Sequence, residues 1–328
     1  MVSGVRWGRV LSGLVLLLAV LPGAAAAQSG YPARPVRILI PFPAGGGADV
    51  IGRTIGEQLS VSFGQPVVMD NRPGAAGRLA TEMLVRAEPD GHTLLVGGVG
   101  PLAISPSLYR NLPYNAARDF LPLTRVAEII NVIVVHPASG VGSVVQLIGW
   151  AKKRAGDMRY GTSGLGQLDH LVAEFFQKRT AIRMTPVAYK GNGPALIDLI
   201  AGDLQVMFPP YVTVVPHVRG GRLRVLAVTT PQRQALLPEL PTVGETLPGF
   251  GVQNWNGMFA PARVNPAVAD RLFTAINAAL QSPEVKARQN AVGIEPVGSP
   301  SRAAFADFLR EDTKRWAQII RDAGVRVE

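Results

Sequence analysis

Residues 36–53 read VRILIPFPAGGGADVIGR, an apolar strand that passes through a Pro/Gly turn directly into a helix. A junction of this kind aims unpaired backbone N–H groups and a helix N-terminus at one point in space, which favours an anion. We therefore predict that this loop binds an acidic group of a small molecule.

The rest of the chain repeats this alternation of apolar strands, Gly/Pro turns and amphipathic helices. The pattern predicts an α/β protein with parallel sheets covered by helices on both faces. A fresh cycle begins after residue 132, so we expect residues 133–253 to form a second domain. The apolar helices of residues 254–328 need a surface to cover, and the short first unit, residues 28–132, offers one. The chain would then cross between the domains twice, which is hinge geometry with a ligand cleft between the carboxyl edges of the sheets.

The N-terminal segment has the features of a signal peptide. An apolar run over residues 10–21 follows two arginines, and three alanines ending at Ala27 supply the small residues that a signal peptidase needs. We expect residues 1–27 to be removed by cleavage near Ala27, which would place the mature chain in the periplasm of a Gram-negative bacterium. A retained membrane anchor is the alternative, but the apolar run is too short to span a bilayer.

Three loops share one physical character: each is rich in glycine and stands directly before a predicted helix. They are residues 42–49, Thr162–Gly166 and Lys190–Gly193. Glycine lets the backbone approach a ligand closely, Thr162 and Ser163 add hydroxyl groups, and each helix start adds a partial positive charge. Any one of these loops can be glycine-rich for steric reasons alone. Together they predict a clamp for a carboxylate.

The composition limits the kinds of site that the chain can hold. It has no cysteine, which excludes disulfides, thiol nucleophiles and cysteine metal sites. The formal net charge is +10, yet the longest basic run is Lys152-Lys153-Arg154 at the end of a predicted helix, where cations suit the helix dipole. We therefore expect no nucleic acid among the partners.

Catalytic motifs fail at defined positions. A dinucleotide-binding G-x-G-x-x-G loop would need a third glycine where Val50 stands, and no Walker lysine follows. A nucleophile elbow, G-x-S-x-G, starting at Gly161 fails at Leu165. His170 and Glu174 are one helical turn apart but lack a third metal ligand. We expect no enzyme, no catalytic residue, no cofactor and no metal, with a periplasmic hydrolase as the remote alternative.

Nine segments, in this order, carry a family resemblance: PFPAGGGADVIGR, NRPGAAG, PDGHTLLV, NLPYNAARDF, YGTSGLGQLDHL, YKGNGPALIDLIAGDLQVMF, RVLAVTT, LPTVGETLPGF and WNGMFAPA. In them the chain resembles the periplasmic substrate-binding proteins of tripartite tricarboxylate transporters, the TctC or Bug receptors. The resemblance implies a two-domain periplasmic binding protein of the type II fold, each domain a mixed, mostly parallel sheet flanked by helices. It also implies capture of a small organic acid and its delivery to a membrane permease, without chemistry. We expect a monomer; signalling to a membrane sensor kinase without transport is the alternative that the sequence leaves open.

The resemblance also implies a ligand site. Backbone amides of the first loop would hold a carboxyl group, often through ordered waters, with Phe42 as an apolar wall and Asp49 as a helix cap. The ligand-binding residues expected from the loops and the resemblance together are Phe42, Ala44, Gly45, Gly46, Gly47, Ala48, Gly98, Thr162, Ser163, Gly164, Gly166, His170, Lys190, Gly191, Asp203 and Tyr211.

Three of these residues, His170, Lys190 and Asp203, have an alternative role without a ligand. Tyr211 is included because the sequence before it departs from the family pattern. His170 would turn its ring toward the loop or a bound water, or would be a helix histidine without a ligand role. Lys190 would meet a second acid group or simply be solvated. Asp203 would meet an ammonium group or organise water, or merely restart the chain after a helix. Pro209-Pro210 depart from the acidic and amide residues common in the family, so Tyr211 is expected to supply an aromatic surface there.

Overall fold

The computed structural model describes Met1, residues 30–154 and residues 156–325. The predicted signal peptide, apart from Met1, lies outside the described residues. The chain divides into two compact units, Met1–Tyr31 and Pro32–Glu328, and the fold below is that of the second unit. No helix among the described residues combines the length and the apolar character that crossing a membrane requires.

Strands and helices alternate along most of this unit. The strands are β1 (Val36–Ile40), β2 (Val67–Asn71), β3 (Thr93–Gly98), β4 (Phe120–Ile129), β5 (Val132–Val135), β6 (Arg159–Thr162), β7 (Thr185–Ala188), β8 (Val206–Met207), β9 (Arg224–Val228), β10 (Asn254–Pro261) and β11 (Ile294–Pro296). The α-helices are α1 (Gly47–Phe63), α2 (Arg78–Val85), α3 (Ser105–Leu108), α4 (Val144–Lys153), α5 (Leu168–Thr180), α6 (Asn192–Ala201), α7 (Tyr211–Arg219), α8 (Pro266–Gln281), α9 (Pro283–Asn290) and α10 (Arg302–Ala323). Short 3-10 helices occupy Ala75–Gly77, Pro137–Ser139 and Val243–Glu245, and a π-helical turn occupies Gly100–Ile104.

The strands form two mixed sheets, with the orders β11-β4-β10-β3-β1-β2 and β7-β6-β8-β5-β9. In the first sheet β1 pairs in parallel with β2 and β3, whereas β10 runs antiparallel to β3 and β4. In the second sheet β6 pairs in parallel with β7 and β8, whereas β5 is antiparallel to β8 and β9. The predicted α/β class with two helix-flanked sheets is confirmed. The antiparallel share is larger than expected, because β4, β5, β9 and β10 adjoin the crossings between the sheets instead of belonging to β-α-β units.

Local sequence explains where the helices begin, end and face the core. Ile51 and Ile55 recur at helical spacing in α1 and are fully buried. Gly64 ends α1 in the left-handed conformation (φ 62°), which glycine adopts without strain. Ser143 caps α4 by accepting the backbone N–H of Gln146 at 3.2 Å, as its position before an apolar-periodic run predicts.

The C-terminal helices pack on the first sheet. Both α8 and α10 contact β4, and α10 also covers the Gly100–Ile104 turn. The buried Trp255 indole donates its Nε1–H to the Asp312 carboxylate at 2.7 Å, which joins β10 to α10. Phe305 of α10 meets the Trp255 ring edge-on, with 5.9 Å between ring centroids. These contacts supply the helical layer that the first sheet needs to bury its apolar face.

We call residues 32–129 with 254–325 the first lobe and residues 132–253 the second lobe, after the sheets they form. The predicted domain limits after residues 132 and 253 stay a prediction, because the chain from Pro32 onward makes one compact unit. The lobe names are used below only to place residues on one sheet or the other.

Asn131 ties the two chain crossings together. It lies between β4 and β5, and its side chain donates to the Phe208 carbonyl oxygen at 2.9 Å. The same side chain accepts a hydrogen bond from Asn254 Nδ2 at 2.8 Å, and its backbone carbonyl accepts the Thr229 N–H at 2.9 Å. Because Thr229 and Asn254 flank the return crossing, one buried asparagine fixes both crossings at the same place.

Candidate ligand-binding site

The first loop leaves backbone donors unused. Helix α1 begins at Gly47 after β1 and a turn, with Gly46 as its N-cap. The N–H groups of Asp49 and Val50 both bond to the Gly46 carbonyl oxygen at 3.0 Å. Among the described residues, no acceptor takes the N–H groups of Gly46, Gly47 and Ala48. These amides stand at the positive end of a 17-residue helix, a position that suits an anion.

Asp49 braces this loop from inside the helix. Its carboxylate accepts the Gly45 N–H at 2.9 Å, the Arg53 Nε–H at 2.9 Å and an Asn71 Nδ2–H at 3.0 Å. Asn71 also donates to the Phe42 carbonyl oxygen at 3.1 Å. Burial opposes ionisation of Asp49, but these hydrogen bonds, led by the one from Arg53, outweigh it and lower the pKa of the carboxyl. Asp49 therefore holds the Gly45 amide instead of capping the helix start, and that amide is not available to a ligand.

The second loop holds a carboxyl group of the chain itself. Asp169, in the first turn of α5, is only 4% exposed. It accepts the Ser163 backbone N–H at 2.6 Å, the Ser163 Oγ–H at 2.9 Å and the His170 N–H at 3.0 Å. Thr162 Oγ1 is 3.1 Å from both Asp169 Oδ1 and the Gly164 carbonyl oxygen, so its proton stays within the loop. Burial raises the pKa of Asp169, and the hydrogen bonds from the loop oppose that rise.

The hydroxyl groups of Thr162 and Ser163, which we expected to clamp a ligand, thus point inward. Two further loop amides are engaged: the Gly164 N–H donates to Thr162 Oγ1 and the Gly166 N–H to His170 Nδ1, each at 3.3 Å. Among the described residues, no acceptor takes the Leu165 N–H. Both glycines have a positive φ, 144° at Gly164 and 77° at Gly166, which side chains rarely tolerate. Most of the loop's hydrogen-bonding groups are therefore satisfied within the loop and the first turn of α5.

His170 supports this loop from behind. The ring is buried and lies nearly parallel to Tyr160, with 6.3 Å between ring centroids. Burial lowers the pKa of His170, which keeps the ring neutral and its Nδ1 an acceptor for the Gly166 N–H.

The third loop lies beside the second. The Gly191 N–H donates to the Ser163 carbonyl oxygen at 3.1 Å, which joins the two loops. Lys190 is exposed next to this bond. Asn192, the first residue of α6, has a buried Oδ1 without a hydrogen-bond donor in the described part of the chain. In this loop, Lys190 is exposed to solvent and the Gly191 amide is bonded to the second loop.

Loops of the first lobe face loops of the second. A Cβ atom built on Gly47 would lie 3.5 Å from Val212 Cγ1, and one built on Gly100 would lie 3.8 Å from Gln167 Oε1. Gly47 and Gly100 belong to the first lobe, whereas Val212 and Gln167 belong to the second. The start of α1 and the turn after β3 therefore border the same cleft as the starts of α5 and α7.

Three expected site residues are covered or lie elsewhere. Gly98 is buried at the end of β3, where a Cβ atom would come within 3.0 Å of Asn256 Nδ2. Asp203 comes just before β8, so it lies at the amino edge of the second sheet and the structure does not bring it to the loops at the carboxyl edge. Tyr211 packs its ring on Gly293, where a Cβ atom would be 2.5 Å from Tyr211 Cδ1. Its neighbour in the sequence, Val212, takes the position opposite the first loop.

A strained segment also borders the cleft and was expected only as a turn. Gly74–Gly77 has four consecutive positive φ values, including 47° at Ala75 and 58° at Ala76. A left-handed alanine costs about 1–2 kcal/mol, so this conformation is held by its surroundings. The Ala76 carbonyl oxygen lies 3.9 Å from a Cβ atom built on Gly100. The motif NRPGAAG signals the turn, but the two alanines give no hint of their conformation.

A cavity of about 530 Å³ borders His170 but none of the three loops themselves. It is lined by Gly156, which precedes β6, by Thr185, the first residue of β7, and by Arg183 and His170. The cavity therefore opens at the amino edge of the second sheet, opposite to the ligand loops.

Comparisons with known proteins agree with this geometry. The chain matches the TctC family model, the tripartite tricarboxylate transporter family receptor, over residues 51–325. Protein BugT of Bordetella pertussis is 35% identical over 301 residues, which cover 91% of this chain and 92% of that protein. This chain belongs to the TctC family.

Three solved structures are similar to this TctC-family chain over most of its length. R. palustris Rpa4515 with adipate is 33% identical, with a TM-score of 0.86 over 90% of this chain and 99% of that one. The periplasmic binding protein BugD is 29% identical, with a TM-score of 0.84 over 91% of this chain and 100% of its own. MatC from Rhodopseudomonas palustris with bound malate is 28% identical, with a TM-score of 0.81 over 88% of this chain and 100% of its own. The expected two-sheet periplasmic binding protein fold is confirmed.

Membership of the TctC family also confirms the expected role as a solute-binding receptor. The family consists of periplasmic binding proteins of tripartite tricarboxylate transporters. Within the described residues, no three histidine, aspartate or glutamate side chains are arranged to hold a metal ion.

Proposed function

We propose that this TctC-family protein captures a small carboxylate-bearing organic solute between its two lobes and presents it to the membrane permease of a tripartite tricarboxylate transporter. The observation that carries the proposal is the set of unused amides of Gly46, Gly47 and Ala48 at the start of α1. A carboxylate placed there would receive charge-assisted hydrogen bonds and the partial positive charge of the helix.

The second lobe would close over the ligand. Val212 and Gln167 already approach the first lobe, and Asn131 fixes the two crossings about which the lobes would turn. A solute that contacts both lobes favours the closed arrangement, because it gains contacts there that the open arrangement lacks. The closed shape is then what the permease recognises.

Two structural relatives support the chemical class of the solute. Rpa4515 was solved with adipate and MatC with malate. Their shared group is the carboxylate, and a clamp made of backbone amides recognises that group whatever the remainder of the solute is.

The mature protein would begin after Ala27 and act in the periplasm as a monomer of two hinged domains, residues 28–132 with 254–328 and residues 133–253. N-terminal sequencing of the protein from a periplasmic extract should start near Gln28, and size-exclusion chromatography should give the mass of one chain. An uncut N-terminus in the membrane fraction would contradict the export step.

The function is tested by a thermal-shift screen of the mature protein against mono-, di- and tricarboxylates, each paired with its amide. A ligand at one hundred times its Kd stabilises the folded state by about 2.7 kcal/mol, which gives a measurable shift. We expect a shift with at least one acid and none with its amide. Equal shifts with an acid and its amide would contradict a carboxylate clamp, as would shifts confined to uncharged solutes.

A further inference from the structure

The amino edge of the second sheet is where four of its strands begin. β6 is parallel to β7 and β8, and β9 runs in the same direction, because β8 and β9 are both antiparallel to β5. Helices α4, α5, α6 and α7 each precede one of these strands, so all four helices end at this edge. The ligand loops lie at the opposite edge of the same sheet.

Exposed cations gather at this amino edge. The last helical turns, the connections after them and the first residues of the strands carry nine, and we call this set the basic edge: Lys152, Lys153, Arg154, Arg159, Lys178, Arg179, Arg183, Arg222 and Arg224. The carboxyl groups of the same segments are those of Asp157 and Asp203, which are exposed, and Asp198, which is half-buried. Arg219, the last residue of α7, is not counted, because it donates to the Ala291 carbonyl oxygen of the first lobe at 3.3 Å. The cations of the basic edge therefore outnumber its carboxylates three to one.

Neighbouring side chains do not neutralise these cations. Among the described residues, the only ion pair of the second lobe joins Arg233 to Glu245, and no ion pair includes a member of the basic edge. Arg179 donates to the Pro248 carbonyl oxygen at 2.6 Å and Arg224 to that of Val141 at 3.4 Å. A bond to a neutral carbonyl group leaves the positive charge in place.

The helix dipoles do not cancel the charge either. Each helix C-terminus carries about half an elementary negative charge, so the four ends supply about two. The basic edge exceeds its carboxylates by six positive charges. Most of this surplus therefore faces solvent, on an end of the lobe that is about 20 Å wide across its five strands.

Crowding of this kind disfavours the folded state, because like charges repel one another. Within the part of the chain that the structure describes, no ion pair offsets the repulsion. An external anionic surface is the counterpart that the arrangement fits.

An aromatic ring stands beside the cations. Trp150, in the last turn of α4, is half-buried, and the guanidinium carbon of Arg154 lies 5.0 Å from its ring centroid. A partly exposed tryptophan suits the boundary between water and lipid headgroups, where its apolar ring and its N–H both find partners. Lysine and arginine next to it suit the phosphate groups of the headgroups. A basic surface with such a ring favours a phospholipid surface over small free anions.

We infer that the basic edge docks the second lobe onto the anionic phospholipid surface of a membrane. Export, as the N-terminal segment predicts, brings the protein next to such a surface. Docking at the amino edge leaves the ligand loops at the opposite edge uncovered. A receptor held in this way searches for its permease along the membrane instead of through the whole compartment.

The test measures binding of the mature protein to lipid vesicles. One set contains about one-third phosphatidylglycerol in phosphatidylcholine, and the other contains phosphatidylcholine alone. We expect co-sedimentation with the anionic set to be at least about tenfold stronger than with the neutral set, and to be lost at about 1 M salt, where the Debye length is about 3 Å. Equal binding to the two sets, or no binding to the anionic set, would overturn the inference.

Two double variants locate the contact on the basic edge. Lys152→Gln/Lys153→Gln changes the end of α4, and Lys178→Gln/Arg183→Gln changes the end of α5 and the connection to β7. Each should weaken binding to the anionic vesicles about twenty-five-fold, since one basic residue near an anionic surface contributes about a factor of five. Undiminished binding by both variants would show that another surface docks.

A matched control separates position from net charge. Arg263 and Arg271 are exposed cations of the first lobe, and neither belongs to an ion pair among the described residues. Arg263→Gln/Arg271→Gln removes the same two charges and should change vesicle binding by less than about threefold. A loss as large as that of the edge variants would mean that only the total charge matters.

Stability distinguishes docking from a structural role. Because both edge variants relieve repulsion, each should unfold in the absence of vesicles at the Tm of the parent or slightly above it. Weaker vesicle binding together with a clearly lower Tm in both variants would assign these cations to the fold instead.

Trp150 reports the contact directly. Trp255 and Trp316 are only 0% and 2% exposed, so Trp150 is the tryptophan of this unit whose surroundings a bound vesicle changes. Anionic vesicles should protect its fluorescence from acrylamide quenching, and Trp150→Phe should remove that protection. Unchanged quenching of the vesicle-bound parent would place a different surface on the membrane.

Vesicle binding and carboxylate binding fail independently. A protein that responds to an acid but ignores anionic vesicles keeps the proposed ligand site and loses only the docking surface. Docking without a response to any acid would leave the basic edge and remove the carboxylate clamp.

Discussion

Asp49 and Asp169 brace the glycine-rich loops of the two lobes in the same way. Each stands in the first turn of a helix that follows a glycine-rich loop, and each accepts a loop amide, Gly45 N–H at 2.9 Å and Ser163 N–H at 2.6 Å. Asp49 takes one amide and leaves the helix start open, whereas Asp169 takes the loop amide, a hydroxyl and a helix amide. Both helix starts keep amides without an acceptor among the described residues, those of Gly47 and Ala48 in α1 and those of Leu168 and Asp169 in α5.

Removing the brace of the first loop should cost stability. Asp49→Ala leaves the Gly45 amide, the Arg53 guanidinium and the Asn71 amide without their shared acceptor. We expect a loss of about 1–3 kcal/mol in the free energy of unfolding. Urea denaturation at neutral pH measures it. Asp307→Ala is the matched control, because its pair with Arg310 is about two-thirds exposed and should change stability by less than about 0.5 kcal/mol. Equal losses in the two variants would show that Asp49 braces nothing.

Position 46 separates steric from electrostatic effects at the helix start. Gly46 has a φ of −81°, and a Cβ atom there would meet nothing nearer than the Pro43 carbonyl oxygen at 3.5 Å. Gly46→Ala should therefore keep the fold and bind acids nearly as well as the parent, whereas Gly46→Asp should lose carboxylate binding by about a hundredfold or more, because it adds a negative charge where the anion sits. Calorimetric titration with an acid identified in the screen distinguishes them. Normal binding by Gly46→Asp would show that the site is elsewhere.

Stability should depend on pH through His170. Burial lowers the pKa of this residue from its ordinary 6.5, so the folded state binds fewer protons than the unfolded state. The contribution of the neutral ring is fully present above about pH 6.5 and is lost as the pH falls toward the lowered pKa, by at most about 1.4 kcal/mol for each pH unit. His170→Asn, which keeps an acceptor for the Gly166 N–H, should flatten the unfolding free energy between about pH 7 and pH 5.

His217 needs its own comparison in that experiment, because burial lowers its pKa as well. His217→Asn should keep the part of the slope that His170 supplies. An identical slope in His170→Asn and in the parent protein would contradict the assignment.

Two left-handed glycines test whether the Tyr211 ring packs on Gly293. Gly293 (φ 74°) would bring a Cβ atom to 2.5 Å from the Tyr211 ring, whereas Gly140 (φ 70°) has open space. Gly140→Ala should cost only the left-handed strain of about 1–2 kcal/mol, and Gly293→Ala should cost at least about 1 kcal/mol more because the ring must move. Denaturant unfolding of both variants gives the difference. Similar costs would mean that Tyr211 does not rest on Gly293.

The spacing of apolar residues and the residues that begin and end helices predict most of the helices and the short strands well. The spacing of Ile51 and Ile55, the cap at Ser143 and the glycine loops before α1, α5 and α6 all follow from local physics. The long strands β4 and β10 were not predicted as such, because their antiparallel pairing joins segments more than a hundred residues apart and leaves no local signal.

The direction of individual donors was harder to predict than the loops that carry them. Whether Ser163 faces a ligand or Asp169 depends on the phase of α5, which places the carboxyl group behind the loop. Both Asp169 and Asp49 can be recognised in the sequence as aspartates at a helix start. An aspartate in that position is equally compatible with a helix cap, so the sequence does not reveal which loop groups it binds. Asp203 is different: a residue just before a strand belongs at the amino edge of its sheet, and that rule alone separates it from the loops.

The most direct test of the account is a crystal structure of the mature protein with the acid that gives the largest thermal shift. We expect a carboxylate of the ligand within hydrogen-bond reach of the amides of Gly46, Gly47 and Ala48, directly or through one ordered water, and between the two lobes. A ligand carboxylate held instead by the Thr162–Gly166 loop, or lodged in the cavity beside Arg183, would contradict it.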